Sequence, residues 1–169
     1  AALDLAPNNQ LLLRQKAYCH LKLGDFSRAA KTYEQLLMVE PEDIVAITNL
    51  LETYLILNRI EEYKHLLNKA ISLMRTKEDW PFLETYFKVL ENYQSDNYRE
   101  MLSVMKYYSE TLPDGEKLKT KFVLDEIERF LKTAPNDKRR SLLEYFVKFI
   151  TGAIETTEFK SEIAKRATS

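Results

Sequence analysis

Chain breakers are scarce in this protein: three glycines and five prolines stand among 169 residues. So little punctuation suits long helices joined by short turns. A Gly-rich phosphate loop has almost nothing to be built from. The single cysteine, Cys19, excludes an internal disulfide and a Cys-rich metal site, and it fits a reducing compartment such as the cytoplasm. The two histidines, His20 and His65, carry no HExxH or CxxC spacing around them. No apolar run reaches the roughly 18–20 residues that span a bilayer. The net charge is -1, so no global field draws the chain to nucleic acid or to an anionic membrane surface.

What is present is a large apolar fraction. Hydrophobic residues make up 45% and charged residues 30%, enough for a soluble domain with a sizeable core. The chain opens Ala1-Ala2-Leu3-Asp4-Leu5-Ala6-Pro7, without Met. These residues read as the last turns of a repeat whose earlier part lies upstream, so the chain reads as a piece of something longer.

Periodicity organises the rest. Leu11–Leu23 and Phe26–Val39 carry helical spacing, with Leu12, Leu13, Ala17, His20 and Leu21 inward on the first, and Ala29, Ala30, Tyr33, Leu36 and Leu37 inward on the second. Between them, Gly24 suits a left-handed helix end, and Asp25 and Ser27 offer oxygens to the next helix. Ala17 and Ala29 are small enough to let the two helices approach closely. Pro41 ends the second helix. Ile44–Leu57 and Glu61–Met74 form a further pair around Asn58. Gly24 to Asn58 and Pro7 to Pro41 are both intervals of 34 residues. In the second pair, the crossing positions hold Leu51 and Tyr63, so this pair must be more splayed. Pro81–Tyr93 and Tyr98–Leu112 form a third pair around Asp96-Asn97, after an insertion of about four residues. Beyond Gly115 the period fails, because continuing it sets Pro135 at the place of Ala29. Three more helices follow: one over Leu118 to Thr133 with Phe122, Phe130 and Leu131, one over Leu142 to Ile154, and a polar one over Thr157–Ala167 anchored by Phe159 and Ile163.

The Leu23-Gly24-Asp25-Phe26-Ser27-Arg28-Ala29 turn, the small crossing residues, the proline stop and the 34-residue period together resemble the tetratricopeptide (TPR) repeat family. The resemblance divides the chain into the end of a preceding repeat (1–7), repeats at 8–41, 42–75 and 81–114, and C-terminal capping helices (115–169) packed on the repeats as one domain. It implies an all-α fold, a right-handed superhelix of antiparallel helix pairs. It further implies a concave groove, lined by the first helix of each pair, that grips a peptide or partner helix. Carried onto this chain, the groove residues are Arg14, Tyr18, Lys22, Asn49, Glu52, Leu83, Tyr86, Phe87 and Leu90. One TPR subfamily holds the acidic tails of heat-shock chaperones in a clamp of Lys, Asn and Arg. Here only Arg14 and Asn49 match it, and Tyr18, Leu83 and Phe87 replace the other donors. A carboxylate needs several converging donors, so this clamp is incomplete.

No residue constellation points to catalysis. Cys19 reads as a small buried hydrophobe, His20 as a packed side chain and His65 as helix surface. Lys138-Arg139-Arg140 reads as a solvated face, since a nucleic-acid site wants more basic residues interleaved with aromatics. The expectation is a non-catalytic scaffold or adaptor without cofactor or metal, whose partner is another protein. The groove grades from Arg14 and Lys22 to Tyr86 and Phe87, suiting a partner with an acidic end and an aromatic anchor. The alternative is a subunit of an assembly docking through its C-terminal helices, a reading that includes self-association. An enzyme and an RNA-binding helical repeat rank below these.

Overall fold

The computed structural model of the protein describes residues 9–118 and 125–168. Among these residues there are nine α-helices and no strand, so the chain is all-α. The helices are α1 (Gln10–Leu23), α2 (Phe26–Val39), α3 (Ile44–Ile56), α4 (Ile60–Met74), α5 (Trp80–Gln94), α6 (Tyr98–Glu110), α7 (Asp125–Thr133), α8 (Lys138–Ile150) and α9 (Thr156–Thr168). The reading of Ala1–Pro7 as the end of an earlier repeat lies outside the described residues, as does Phe122.

One backbone device ends four of these helices. At Gly24, with φ 75°, the Gly24 N–H donates to the Leu21 carbonyl and the Asp25 N–H reaches back to His20. Asn58 and Arg59 repeat the pattern onto Leu55 and Tyr54, and Asp96 and Asn97 repeat it onto Tyr93 and Asn92. Asn58 and Asp96 take φ of 57° and 55°, a left-handed conformation that Asn and Asp tolerate better than other side chains. Two of these turns serve both helices. The Asp25 side chain accepts from the Arg28 N–H at 3.1 Å, and Asn97 accepts from Glu100. One residue thus closes the outgoing helix and caps the incoming one, which turns the chain back on itself within two or three residues.

The chain forms two compact units. Residues up to Trp80, together with the start of α7 to Phe130, make one; residues from Pro81, and those from Leu131 onward, make the other. The third helix pair therefore groups with the C-terminal helices, a division different from the one at 114/115 drawn from the repeats.

In the first unit, α1 packs on α2, α2 on α3 and α3 on α4. Leu13, Ala17 and Leu21 meet a core of Ala29, Ala30, Tyr33 and Leu36, and α3 is buried almost all round. The backbones of α1 and α2 run closer together over more of their length than those of α3 and α4. That follows from size, since Ala17 and Ala29 stand where the second pair has Leu51 and Tyr63, all four buried.

In the second unit, α9 packs along α6. Its centre is an aromatic cluster, in which the Phe149 and Phe159 rings stack with centroids 4.0 Å apart and Phe146 tilts against both. The loop after α6 is fastened to the start of α9: Thr156 Oγ1 donates to the Glu116 carbonyl at 2.6 Å, and Lys160 Nζ reaches the Leu112 carbonyl and the Asp114 carboxylate. The last helix is thus bound into the unit through Thr156, Phe159 and Ile163, all buried.

Several helix limits differ from the sequence reading. Glu116–Leu118 is not helical, so the helix expected from Leu118 begins later. The helix expected to reach Ile154 stops at Ile150, where Gly152 at φ 72° makes the fourth left-handed end. A Cβ at Gly152 stands only 3.1 Å from the Leu118 carbonyl oxygen, so both the dihedral and the space require glycine.

Ala29→Leu tests the close first pair. Added methylenes in a tight helix crossing cost about 1–3 kcal/mol, and chemical denaturation should show a loss in that range. An unchanged midpoint means that the crossing has room to spare.

Candidate functional site

The expected groove residues separate by accessibility. On α1, Leu11, Arg14, Gln15, Tyr18 and Lys22 follow one helical face. Leu11 is 62% and Tyr18 51% exposed. Arg14 turns toward the start of α3: its Nε donates to Asp43 Oδ2 at 2.7 Å and its Nη2 to Glu40 at 2.7 Å. Asp43 in turn caps α3, accepting from the N–H groups of Val45 and Ala46. Arg14 therefore ties the α1 face to the first turn of α3, where Val45 is 61% exposed. Lys22 lies against the Tyr18 ring and pairs with Asp125 at the start of α7.

Both cations of the expected groove thus hold carboxylates of this same chain. Glu40 and Asp43 each take one N–H of Arg14, so an acidic partner end at Arg14, in the groove or in the partial clamp, competes with two acids of this chain. Asn49, the other matching residue, donates its Nδ2 to Tyr33 Oη at 3.1 Å, so it serves the α2–α3 packing. Burial pushes the Tyr33 hydroxyl well above its ordinary pKa, and it remains a neutral partner for Asn49.

The remaining expected residues are interior. Glu52 is buried in the first unit, and Leu83, Tyr86, Phe87 and Leu90 are buried on α5. Phe87, the expected aromatic anchor, is 1% exposed, and its ring lies 5.9 Å from that of Tyr86, which stacks on Phe82. These side chains offer no surface to a partner in this structure. The physical reason is that α5 is apolar on several faces, so periodicity alone does not say which face meets solvent.

Other readings shift in the same way. Cys19 is exposed, not buried. Of the basic run, Arg139 donates to Asp137 and to the Tyr93 carbonyl, and Arg140 to Glu144 and the Ala134 carbonyl. Both brace the second unit; they are not a free solvated face. Lys138 alone points away from carboxylates and lies over the Tyr98 ring, 4.8 Å from its centroid. Sequence reasoning missed a groove of ≈ 600 Å³ over α2 and α4, lined by Leu37, Met38, Tyr54, Leu66 and His65 with Glu61 and Glu62 at its rim. The signal was the apolar Leu37-Met38-Val39 run, one residue wider than a core stripe needs. Among the described residues no cluster of His, Cys, Asp and Glu is arranged to hold a metal ion. No helix of the described residues is long and apolar enough to cross a membrane.

Comparison with protein-family models, curated proteins and solved structures yields no match to this chain.

Phe87→Ala should behave as a core truncation, costing about 3–5 kcal/mol in denaturant melts; a variant as stable as the parent contradicts its burial. Glu126 gives a pH test in the first unit. It is buried, and loss of hydration pushes its carboxyl above the ordinary range, against the pull of Lys22 and Arg129. The folded state therefore holds the proton more tightly than the unfolded one. Its stabilising contribution is fully present below the unfolded pKa and is lost as pH rises through the folded value. Glu126→Gln should raise the melting temperature at pH 7, and the gain should vanish below about pH 4. A gain that grows on acidification reverses the sign and refutes this account.

Proposed function

We propose that the chain is a non-catalytic protein-binding module, a scaffold or adaptor built as a TPR-like right-handed superhelix, and that it binds through the exposed face of α1 and the first turn of α3. The observation that carries this reading is the trio Leu11, Tyr18 and Val45. Each is a large apolar side chain more than half exposed on this face. Arg14, on the same face of α1, ties it to the start of α3 through Asp43 and Glu40. Exposed apolar side chains gathered on one face mark interaction surfaces, and tyrosine is enriched among interface anchors.

Binding here is an equilibrium event with little reordering cost, since the helices are already formed. The partner is a peptide or helix that brings apolar side chains to Leu11, Tyr18 and Val45. It gains little from Arg14 and Lys22, whose charges are already matched within the chain. The 34-residue spacing of the left-handed turns at Gly24 and Asn58 supports the repeat reading, and the 38-residue step to Asp96 accommodates the four-residue insertion.

A photo-crosslinking amino acid at position 18 identifies the partner, and a titration with the captured segment then measures the face. Tyr18→Ala should weaken binding by about 30-fold, equivalent to about 2 kcal/mol, with an unchanged melting temperature. Met38→Ala, which truncates an exposed apolar side chain on α2, should bind as the parent does. Equal affinity for parent and Tyr18→Ala chains eliminates this face as the binding surface.

A further inference from the structure

The second unit contains a cleft of ≈ 740 Å³ where α6, the start of α8 and the end of α9 come together. Four cations line it: Arg99 and Lys106 from α6, Lys138 from α8 and Arg166 from α9. The only carboxylate in the lining is Asp96, whose Oδ1 lies 3.3 Å from Arg139 Nε. Ser103 adds a hydroxyl between Arg99 and Lys106 on the same face of α6.

Several cations elsewhere in the chain are closely matched by acids. Arg14, Arg59, Arg140 and Lys160 each lie within 3.2 Å of a carboxylate oxygen. In the cleft three of the four cations lack so close a partner. Among the described residues, neither Arg99 nor Lys138 has a carboxylate within ion-pair distance, and Lys106 reaches only Glu110, at 3.9 Å with both side chains exposed; Arg166 pairs with Glu162 on its own helix at 2.9 Å. The whole chain has a net charge of -1, so this excess is local and not a consequence of composition. Clustered like charges repel one another, and a bound anion relieves that repulsion.

We propose that this cleft binds an acidic peptide segment of a partner protein. Arg99 and Lys106 are seven residues apart on one helix, about 10 Å along its axis. Alternate side chains of an extended strand repeat on one side every ~7 Å. Two or three carboxylates of an extended Asp- or Glu-rich segment therefore span this row of donors, with Lys138 and Arg166 on the facing walls. A single small anion meets only part of the row. A nucleic acid strand brings equally spaced charges, but its bases need open aromatic faces for stacking. The aromatic ring in the cleft lining, Tyr98, has Lys138 across it. The site lies wholly in the second unit and goes beyond the α1–α3 face, so each stands or falls separately.

The test is fluorescence anisotropy of the full chain with a labelled octaglutamate peptide. The parent should bind saturably, and more weakly as salt rises. The Arg99→Ala/Lys138→Ala double variant should bind at least tenfold more weakly. Both residues are exposed, so the fold should be retained; the charge reversal Lys106→Glu repeats the test without touching either. Lys16→Ala/Lys31→Ala removes the same charge from the α1–α2 surface and should bind as the parent does, as should Tyr18→Ala. No saturable binding by the parent overturns the proposal. So does an equal loss in the Lys16→Ala/Lys31→Ala control, or tighter binding of an oligouridylate of equal charge than of octaglutamate.

Discussion

A helix that ends must dispose of its last carbonyls, and in this chain that requirement sets the architecture. Gly24, Asn58, Asp96 and Gly152 each enter the left-handed region and return two N–H groups to the turn before them. The free ends of the helix are satisfied by the backbone itself. Where the next residue also caps the following helix, as Asp25 and Asn97 do, the connection is only two or three residues long. Packing then decides how closely successive helices approach.

Closeness is a matter of side-chain volume. Alanines at 17, 29 and 30 are buried where α1 meets α2, while Leu51 and Tyr63 are buried at the matching places of the next pair. In the second unit the same role falls to rings, with Phe149 stacked on Phe159 and Phe146 beside them. The polar groups of this unit act as fasteners. Arg139 and Arg140 join the start of α8 to nearby carbonyls and carboxylates, and Thr156 and Lys160 hold the loop after α6. Such groups are costly to bury unpaired, and they fix which elements pack together.

Charge shows a related economy. Arg14 and Lys22 look like ligand-binding cations in the sequence, yet each closes an ion pair between segments distant along the chain. Lys138, read in the sequence as part of a solvated basic run, and Arg99 have no carboxylate within ion-pair distance and line a cleft. Residue type is the same in both cases. What separates a bracing cation from an available one is the position of acids contributed by other helices.

The sequence by itself determined the local features. The helix ends at Leu23 and Val39, the left-handed turn at Asn58, the inserted step before Asp96 and the small crossing at Ala17 and Ala29 follow from residue shape and backbone preference, which act over a few residues. The tertiary structure decided the rest. Periodicity marks Tyr86 and Phe87 as one side of a helix but does not say whether that side meets solvent, because α5 is apolar on more than one face; both are buried. Gly152 sits inside a run of helical spacing, and only the Leu118 carbonyl packed against it shows why the helix ends there. Exposure at Leu11, Tyr18 and Val45, and the gathering of Arg99, Lys106, Lys138 and Arg166, depend on contacts between segments far apart in the chain. Local preference carries no information about those contacts.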